Sequence, residues 1–184
     1  DISRADQDRL SAQSHQRGAA AWERVDFAAE AVPVTVASGT RKGAEKVVTK
    51  DEGIRPDTTA EGLAKLRPAF RPDGGTVTAG NASQLSDGAA AAVVASAKAV
   101  ERLGAKPLAR VVAYTTSGVA PKDIFIAPVS AVRMALEKAK LSASDIDLFE
   151  LNEAFAAQML ACGKGLGLDE SKVNVNGGAI ALGH

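Results

Sequence analysis

The chain has 184 residues, room for one ordinary domain or two small ones, and with 46% hydrophobic but only 4% aromatic residues its core must consist mostly of Ala, Val and Leu. Its 22 Lys and Arg balance its 22 Asp and Glu, which leaves no electrostatic case for nucleic acid or an acidic membrane surface as a partner. No apolar run approaches the ~20 residues that span a bilayer, the opening DISRADQDRL is too charged for a signal peptide, and one cysteine excludes an intrachain disulfide framework and suits a reducing compartment, so a cytoplasmic location is expected.

A helix is expected over residues 3–22. Ser3 and Asp6 fit a capping box, and Leu10, Ser14, Arg17 and Ala21 follow at helical spacing. Its many polar residues predict a surface element. AVPVTVAS (31–38) alternates as a strand, and Pro33 suggests an edge position. From about 39 to 80, SGTRKG, KDEGIRPD and RPAFRPDGG concentrate Gly, Pro and charge around a short helix at 59–66. Residues 1–85 thus read as a lid-like region of loops and short elements, without a packed sheet.

The composition changes near residue 86. SDGAAAAVVASAKAVERLGA fits either one long helix or a buried strand (88–95) passing into a helix (96–103); Gly88 and the Val93–Val94 pair favour the strand. A strand at 107–118, a helix at 128–140 opened by proline, a short strand within 144–151, a glycine-punctuated helix at 152–167 and a last strand at 172–178 follow. Strands alternating with helices at this spacing predict an α/β layered fold.

Three stretches could hold chemistry, and each also has a plain structural reading. TAGNASQLSDGAAA (78–91) is a small-residue turn where backbone amides can approach a ligand and Asn81, Ser83 and Ser86 offer hydrogen bonds; an ordinary turn satisfying its own backbone is the alternative. In LFELNEAFA (148–156) a strand runs into a helix, so Asn152 lies at a strand end, where α/β folds tend to bind ligands. It could equally be a helix cap, with Glu153 complementing the dipole. NVNGGAIALGH (174–184) sets His184 after a glycine turn, where an imidazole can act as a general base or stabilise developing negative charge. His15, in the polar first helix, receives no role.

Two histidines and one cysteine without paired spacing form no zinc or iron motif, so no metal site is expected. A P-loop is absent, and GKGLG (163–167) has the wrong order. Cys162 lies ten residues after Asn152 on the same expected helix, roughly 15 Å further along, and reads as a buried packing residue rather than a nucleophile.

Taken together, NEAFA (152–156), GGAIALGH (177–184), TAGNASQLSDGAAA, KLRPAF (65–70) and the opening ISRADQDRLSAQSHQRGAAA resemble the thiolase family, acyl-CoA acyltransferases that make or cleave 3-ketoacyl-CoA. The motifs follow in the family's order over essentially the whole chain. The resemblance implies a thiolase-like αβαβα layered fold, present in part: residues 1–85 as the later lid region and 86–184 as the start of the C-terminal half. It implies that His184 activates a nucleophilic cysteine and helps form an oxyanion hole, and that Asn152 holds a water in a second one. Ser83 would contact the pantetheine of CoA, with Ala82, Leu85, Ala154 and Phe155 lining the acyl pocket and Arg55 and Phe70 approaching CoA from the lid. Acetyl-CoA or other acyl-CoA thioesters would be substrates, with no cofactor, in a homodimer or homotetramer. Both cysteines of the family's chemistry would fall outside the matched stretch, one before Asp1 and one after His184. A non-catalytic CoA-binding relative and a ketoacyl-synthase-type condensing enzyme stay open as alternatives, although synthases use different histidine motifs. The reading stands on Asn152 and His184 converging on one hollow.

Overall fold

In the computed structural model, which describes residues 2–37 and 44–184, the first predicted helix forms as α1 (Arg4–Glu23). The Ser3 half of the expected capping box is present: the Ser3 hydroxyl accepts the Asp6 N–H at 3.1 Å, while the Asp6 carboxylate accepts from that hydroxyl at 2.5 Å. At its far end the Asp26 N–H returns to the Ala21 carbonyl over Val25, which sits in the left-handed region at φ 58°.

The expectation that α1 lies on the surface is wrong. Gln7, Asp8, Ser11, Ser14 and His15 are all buried, together with Leu10, Ala12 and Ala21. A polar helix face can be buried when its groups find partners, and here most do, although the buried Gln7 Oε1 has none among the described residues. Asp8 accepts from the Arg4 guanidinium and the Asn81 amide, Ser14 donates to Glu153, and Arg17 reaches the carbonyls of Glu170 and Val173. Small residues do the rest: a methyl added at Gly18 would touch Ala181 and Leu182 at 3.5 and 3.6 Å.

The predicted edge strand forms as β1 (Val34–Val36), paired antiparallel with β2 (Lys46–Val48) in the register Val34 to Val48. Pro33 precedes the first paired residue, so no ladder donor is lost. The SGTRKG stretch (38–43), read as irregular, lies outside the described residues. Helix α2 (Ala60–Ala64) is capped by Thr59 and buries Leu63, whose carbonyl accepts from Arg4.

The two strands predicted at 88–95 and 107–118 are not formed. Residues 88–95 have no regular structure, and Val93 is 97% exposed, the opposite of a buried strand. Helix α3 (Ala97–Leu103) follows, capped by Ser96 and ended by left-handed Gly104. At 112–117 the two-residue alternation survives without a ladder: Ala113, Thr115 and Ser117 are half-buried while their neighbours face solvent. Thr115 donates to the Ala131 carbonyl and Ser117 bonds the Ser130 hydroxyl, both on α4 (Ala127–Ala139). A strand needs a neighbour's backbone as much as its own side-chain pattern, and among the described residues none pairs here. The predicted 128–140 helix is α4, with Pro128 in its first turn.

The last quarter holds the core. Strands read at 144–151 and 172–178 reduce to one parallel bridge between Phe149 and Val173, closed by Phe149 N–H to Lys172 O and Asn174 N–H to Phe149 O, both 2.9 Å. Helices α5 (Ala156–Leu166) and α6 (Ala179–Leu182) flank it. Leu10 from α1, Ala156 and Met159 from α5, Val173 and Ile180 pack into one cluster, with Phe149, Leu151, Leu160 and Leu168 around it. Helix α1 therefore crosses beneath both predicted motifs of the C-terminal stretch.

Candidate active site

Asn152 and His184 meet. The Asn152 Nδ2 lies 3.0 Å from the His184 Nε2, although 32 positions separate them in the chain, and both side chains are open to solvent. As oriented, the amide donates to an unprotonated Nε2, which puts the ring proton on Nδ1. In the other tautomer Nε2–H is itself a donor, and the amide must turn its oxygen towards the ring.

The strand bridge and two turns set this meeting. Asn152 comes three residues after Phe149 of the Phe149–Val173 bridge, and His184 leaves the end of α6 through Gly183, whose φ of 108° favours glycine. The 81–84 segment runs beside both supports. Ala82 bridges Phe155 antiparallel, Ser83 N–H donates to Ala154 O at 3.0 Å, and Ala156 N–H donates to Asn81 O at 2.9 Å. On the other side the Gln84 amide donates to Ala181 O at 2.6 Å. All three stretches singled out in the sequence thus adjoin.

The structure brings His184, Asn152, Ala82, Ser83, Ala154 and Phe155 together around this rim. Phe155 packs edge-on against Phe125, with ring centroids 5.3 Å apart. Leu85 and Phe70 point into solvent. Arg55 has an exposed side chain, but its backbone N–H donates to the buried His15 Nδ1 at 3.2 Å. Burial holds the His15 imidazole below its ordinary pKa; the nearby Arg55 charge pushes the same way and Asp57 opposes it. Asn81 is unavailable to a ligand. It is fully buried, its amide accepting from Thr78 N–H and donating to Thr76 O and Asp8.

Two expectations about 152–156 need correction. Helix α5 starts four residues later than expected, with Phe155 at its N-cap position, so Asn152 caps nothing there. Glu153 does not serve the α5 dipole either. Its side chain turns inward, 2% exposed, and accepts from three donors: Ser14 Oγ at 2.6 Å, Asn174 Nδ2 at 2.9 Å and Ile180 N–H at 3.2 Å. Ile180 is in the first turn of α6, so the carboxylate serves that helix instead. Ser14 in turn accepts from Gly178 N–H at 3.1 Å. Asn174, held at φ 46°, clasps Leu151 twice, accepting its N–H and donating to its C=O at 2.8 Å each.

Ser14 and Asn174 gave no signal in the sequence beyond their spacing, because only the folded chain shows which polar side chains turn inward. Cys162 is buried as expected, its thiol near the Phe125 carbonyl at 3.4 Å and pushed up in pKa by burial. Among the described residues, no group of three or more His, Cys, Asp or Glu could hold a metal ion, and no helix is long and apolar enough to cross a membrane.

Known proteins are similar to this chain in sequence and in fold. The family description "Thiolase, N-terminal domain" matches residues 1–98 and "Thiolase, C-terminal domain" matches residues 105–184. An acetyl-CoA acetyltransferase of Chromobacterium violaceum is 54% identical over all of this chain and 46% of its own length. A 3-ketoacyl-CoA thiolase of Cronobacter sakazakii is 52% identical, again over the whole chain and 48% of its own length. The crystal structure of the Bacillus anthracis acetyl-CoA acetyltransferase superimposes with a TM-score of 0.94 at 50% identity, and the dimeric peroxisomal thiolase of Saccharomyces cerevisiae with 0.92 at 45%; each is covered over 45% of its chain. The chain spans about half the length of the curated relatives it matches. It therefore has, in part, the α/β layered fold of these enzymes, and with both domain descriptions matched in order along its length it belongs to the thiolase family.

Proposed function

We propose that the full-length natural protein is an acyl-CoA C-acyltransferase, joining two acyl-CoA thioesters into a 3-ketoacyl-CoA and free CoA, and running the reverse thiolysis. One observation carries this reading: Asn152 and His184 stand 3.0 Å apart on an open rim beside the 82–84 segment. In the covalent half-reaction a cysteine thiolate attacks the thioester carbonyl, its new C–S bond replaces the bond to CoA, and CoA leaves as thiolate. The family resemblance expects that cysteine upstream of residue 1, and buried Cys162 is not it.

His184 takes the proton of the attacking thiol, and an imidazole at this position also donates to the oxygen on which negative charge develops. Asn152 reaches the same region through an ordered water. In the carbon–carbon step a base, in the family resemblance the second cysteine, takes the α-proton of a second acyl-CoA; the enolate attacks the acyl-enzyme carbonyl and the first cysteine leaves as thiolate, while donors held in place before reaction stabilise the enolate oxygen. Ser83 contacts the pantetheine arm; Ala82, Leu85, Ala154 and Phe155 bound the acyl group; Arg55 and Phe70 meet CoA from the other side. No cofactor is required beyond the CoA thioesters, and the protein assembles as a homodimer or as a dimer of dimers. Relatives named for acetyl-CoA acetyltransfer and 3-ketoacyl-CoA thiolysis support the activity, and the dimeric yeast enzyme supports the assembly.

The test is thiolysis of acetoacetyl-CoA by the purified full-length protein. Turnover is expected, with His184→Ala lowering kcat by about 10²–10⁴-fold and Asn152→Ala by about 10²–10³-fold. CoA binding without any acyl transfer by the wild type would reject the enzyme and leave a CoA-binding relative.

A further inference from the structure

Glu153 is buried beside the rim with three hydrogen bonds, and it touches neither Asn152 nor His184 through its own carboxylate. Three separate segments send a donor to it. Ser14 comes from α1, Asn174 from the stretch that clasps the strand end before Asn152, and Ile180 from the first turn of the helix that ends at His184. Resting on the acyltransferase reading above, we propose that Glu153 is a positioning residue that fixes the distance between Asn152 and His184.

The geometry supports a role more specific than filling space. Asn174 grips Leu151, the residue before Asn152, through both its backbone N–H and its C=O. The Glu153–Asn174 bond therefore fastens the Asn152 end. The Glu153–Ile180 bond and the Glu153–Ser14–Gly178 chain fasten the glycine turn and α6. Gly178 packs so closely against the carboxylate that a Cβ there would collide with it, so the glycine turn lies directly on Glu153. One buried group thus joins the two supports of the rim, and α1 backs both.

Chemistry narrows the choice of side chain to a carboxylate. All three partners donate in these contacts: the Asn174 Nδ2 and the Ile180 N–H can do nothing else, and the Ser14 hydroxyl gives its proton to the carboxylate while accepting from Gly178. A glutamine of the same shape would turn its NH2 towards at least one of those donors, whichever way its amide faced. The expected result is a shifted support rather than an altered ligand contact. A displacement of about 1 Å in a reacting constellation can lower turnover by roughly a hundredfold.

The experiment compares the full-length natural protein with Glu153→Gln, taking kcat per active site titrated by the CoA released on acylation. Expected is a fall of about 10- to 100-fold in kcat per titrated site with KM for acetyl-CoA within about twofold, because the CoA-contacting stretches keep their places. A kcat per titrated site within about twofold of wild type, or a rise in KM equal to the fall in kcat, overturns the proposal. Should Glu153→Gln not fold, Ser14→Ala removes one donor and the Gly178 link; a fall of about 3- to 10-fold per site supports the proposal and an unchanged value overturns it. If the wild type transfers no acyl group, the functional reading fails by itself. Crystal structures then judge the positioning: an Asn152–His184 separation kept at 3.0 Å in Glu153→Gln rejects it, and a shift of about 1 Å upholds it.

Discussion

The crossing of α1 with residues 149–184 and the run from 85 to 119 are built from similar small and apolar residues, yet they end in opposite states. At the crossing, polar side chains such as Ser14, Asn81, Glu153 and Asn174 are buried and each has partners in another segment. In the run, Leu85, Val93, Val94, Leu108, Val111 and Val112 face solvent. Polarity alone therefore does not decide burial here. A buried serine or carboxylate is tolerated when its bonds are supplied, while an apolar side chain stays exposed when the described residues provide nothing to cover it. The first region carries the stability of the chain, and the second carries its exposed apolar surface.

That contrast can be broken most directly at Gly177. Its φ of 84° is strained for any residue with a side chain, and an added Cβ would sit 2.7 Å from the Ser14 carbonyl and 2.8 Å from Gly18 N. Gly177→Ala should cost about 3 kcal/mol or more, read as a lower urea midpoint; an unchanged midpoint would mean that α1 and the turn are not locked together. Leu10→Ala, in the core cluster, should cost about 2–5 kcal/mol, whereas Leu108→Ala, 104% exposed, should stay within about 0.5 kcal/mol. Equal effects at the two leucines would erase the distinction between the regions.

Protonation gives a finer test. His15 is buried and accepts the Arg55 N–H on Nδ1, and its folded pKa lies below the ordinary 6.5. The unfolded chain therefore binds more protons in the window below that value, so stability is complete above it and falls as pH drops towards the folded pKa. Melting followed from about pH 7 to pH 5.5 should reveal this loss, and His15→Gln should flatten it; about 1 kcal/mol is at stake in the Arg55 bond. An identical pH profile in the variant would show that other groups are responsible. The smallest effect is expected at Val25, an exposed β-branched residue at φ 58°. Val25→Asn should raise the melting temperature modestly, by relief of about 0.5–1 kcal/mol of backbone strain.

Local signals in the sequence held where one segment could settle the matter. The Ser3 cap, the Pro33 edge position and the proline-led α4 all depend on hydrogen bonds or φ values within a few residues. The motif order also carried the family. Errors came where a distant partner decides. Helix α1 read as a surface element because its Gln, Asp and Ser look solvent-loving until the groups that meet them are known. Residues 88–95 read as a buried strand because apolar character implies burial only if something packs on it.

The sequence by itself determined which residues can cap, turn and pack, and that NEAFA and GGAIALGH belong to one family's pattern. Tertiary structure alone decided that Asn152 and His184 stand 3.0 Å apart, that Asn81 turns inward, and that Glu153 faces the interior rather than its own helix. The reason is physical: a side chain's direction follows from short-range backbone preferences, but its hydrogen-bond partner comes from whichever segment the fold brings within about 3 Å.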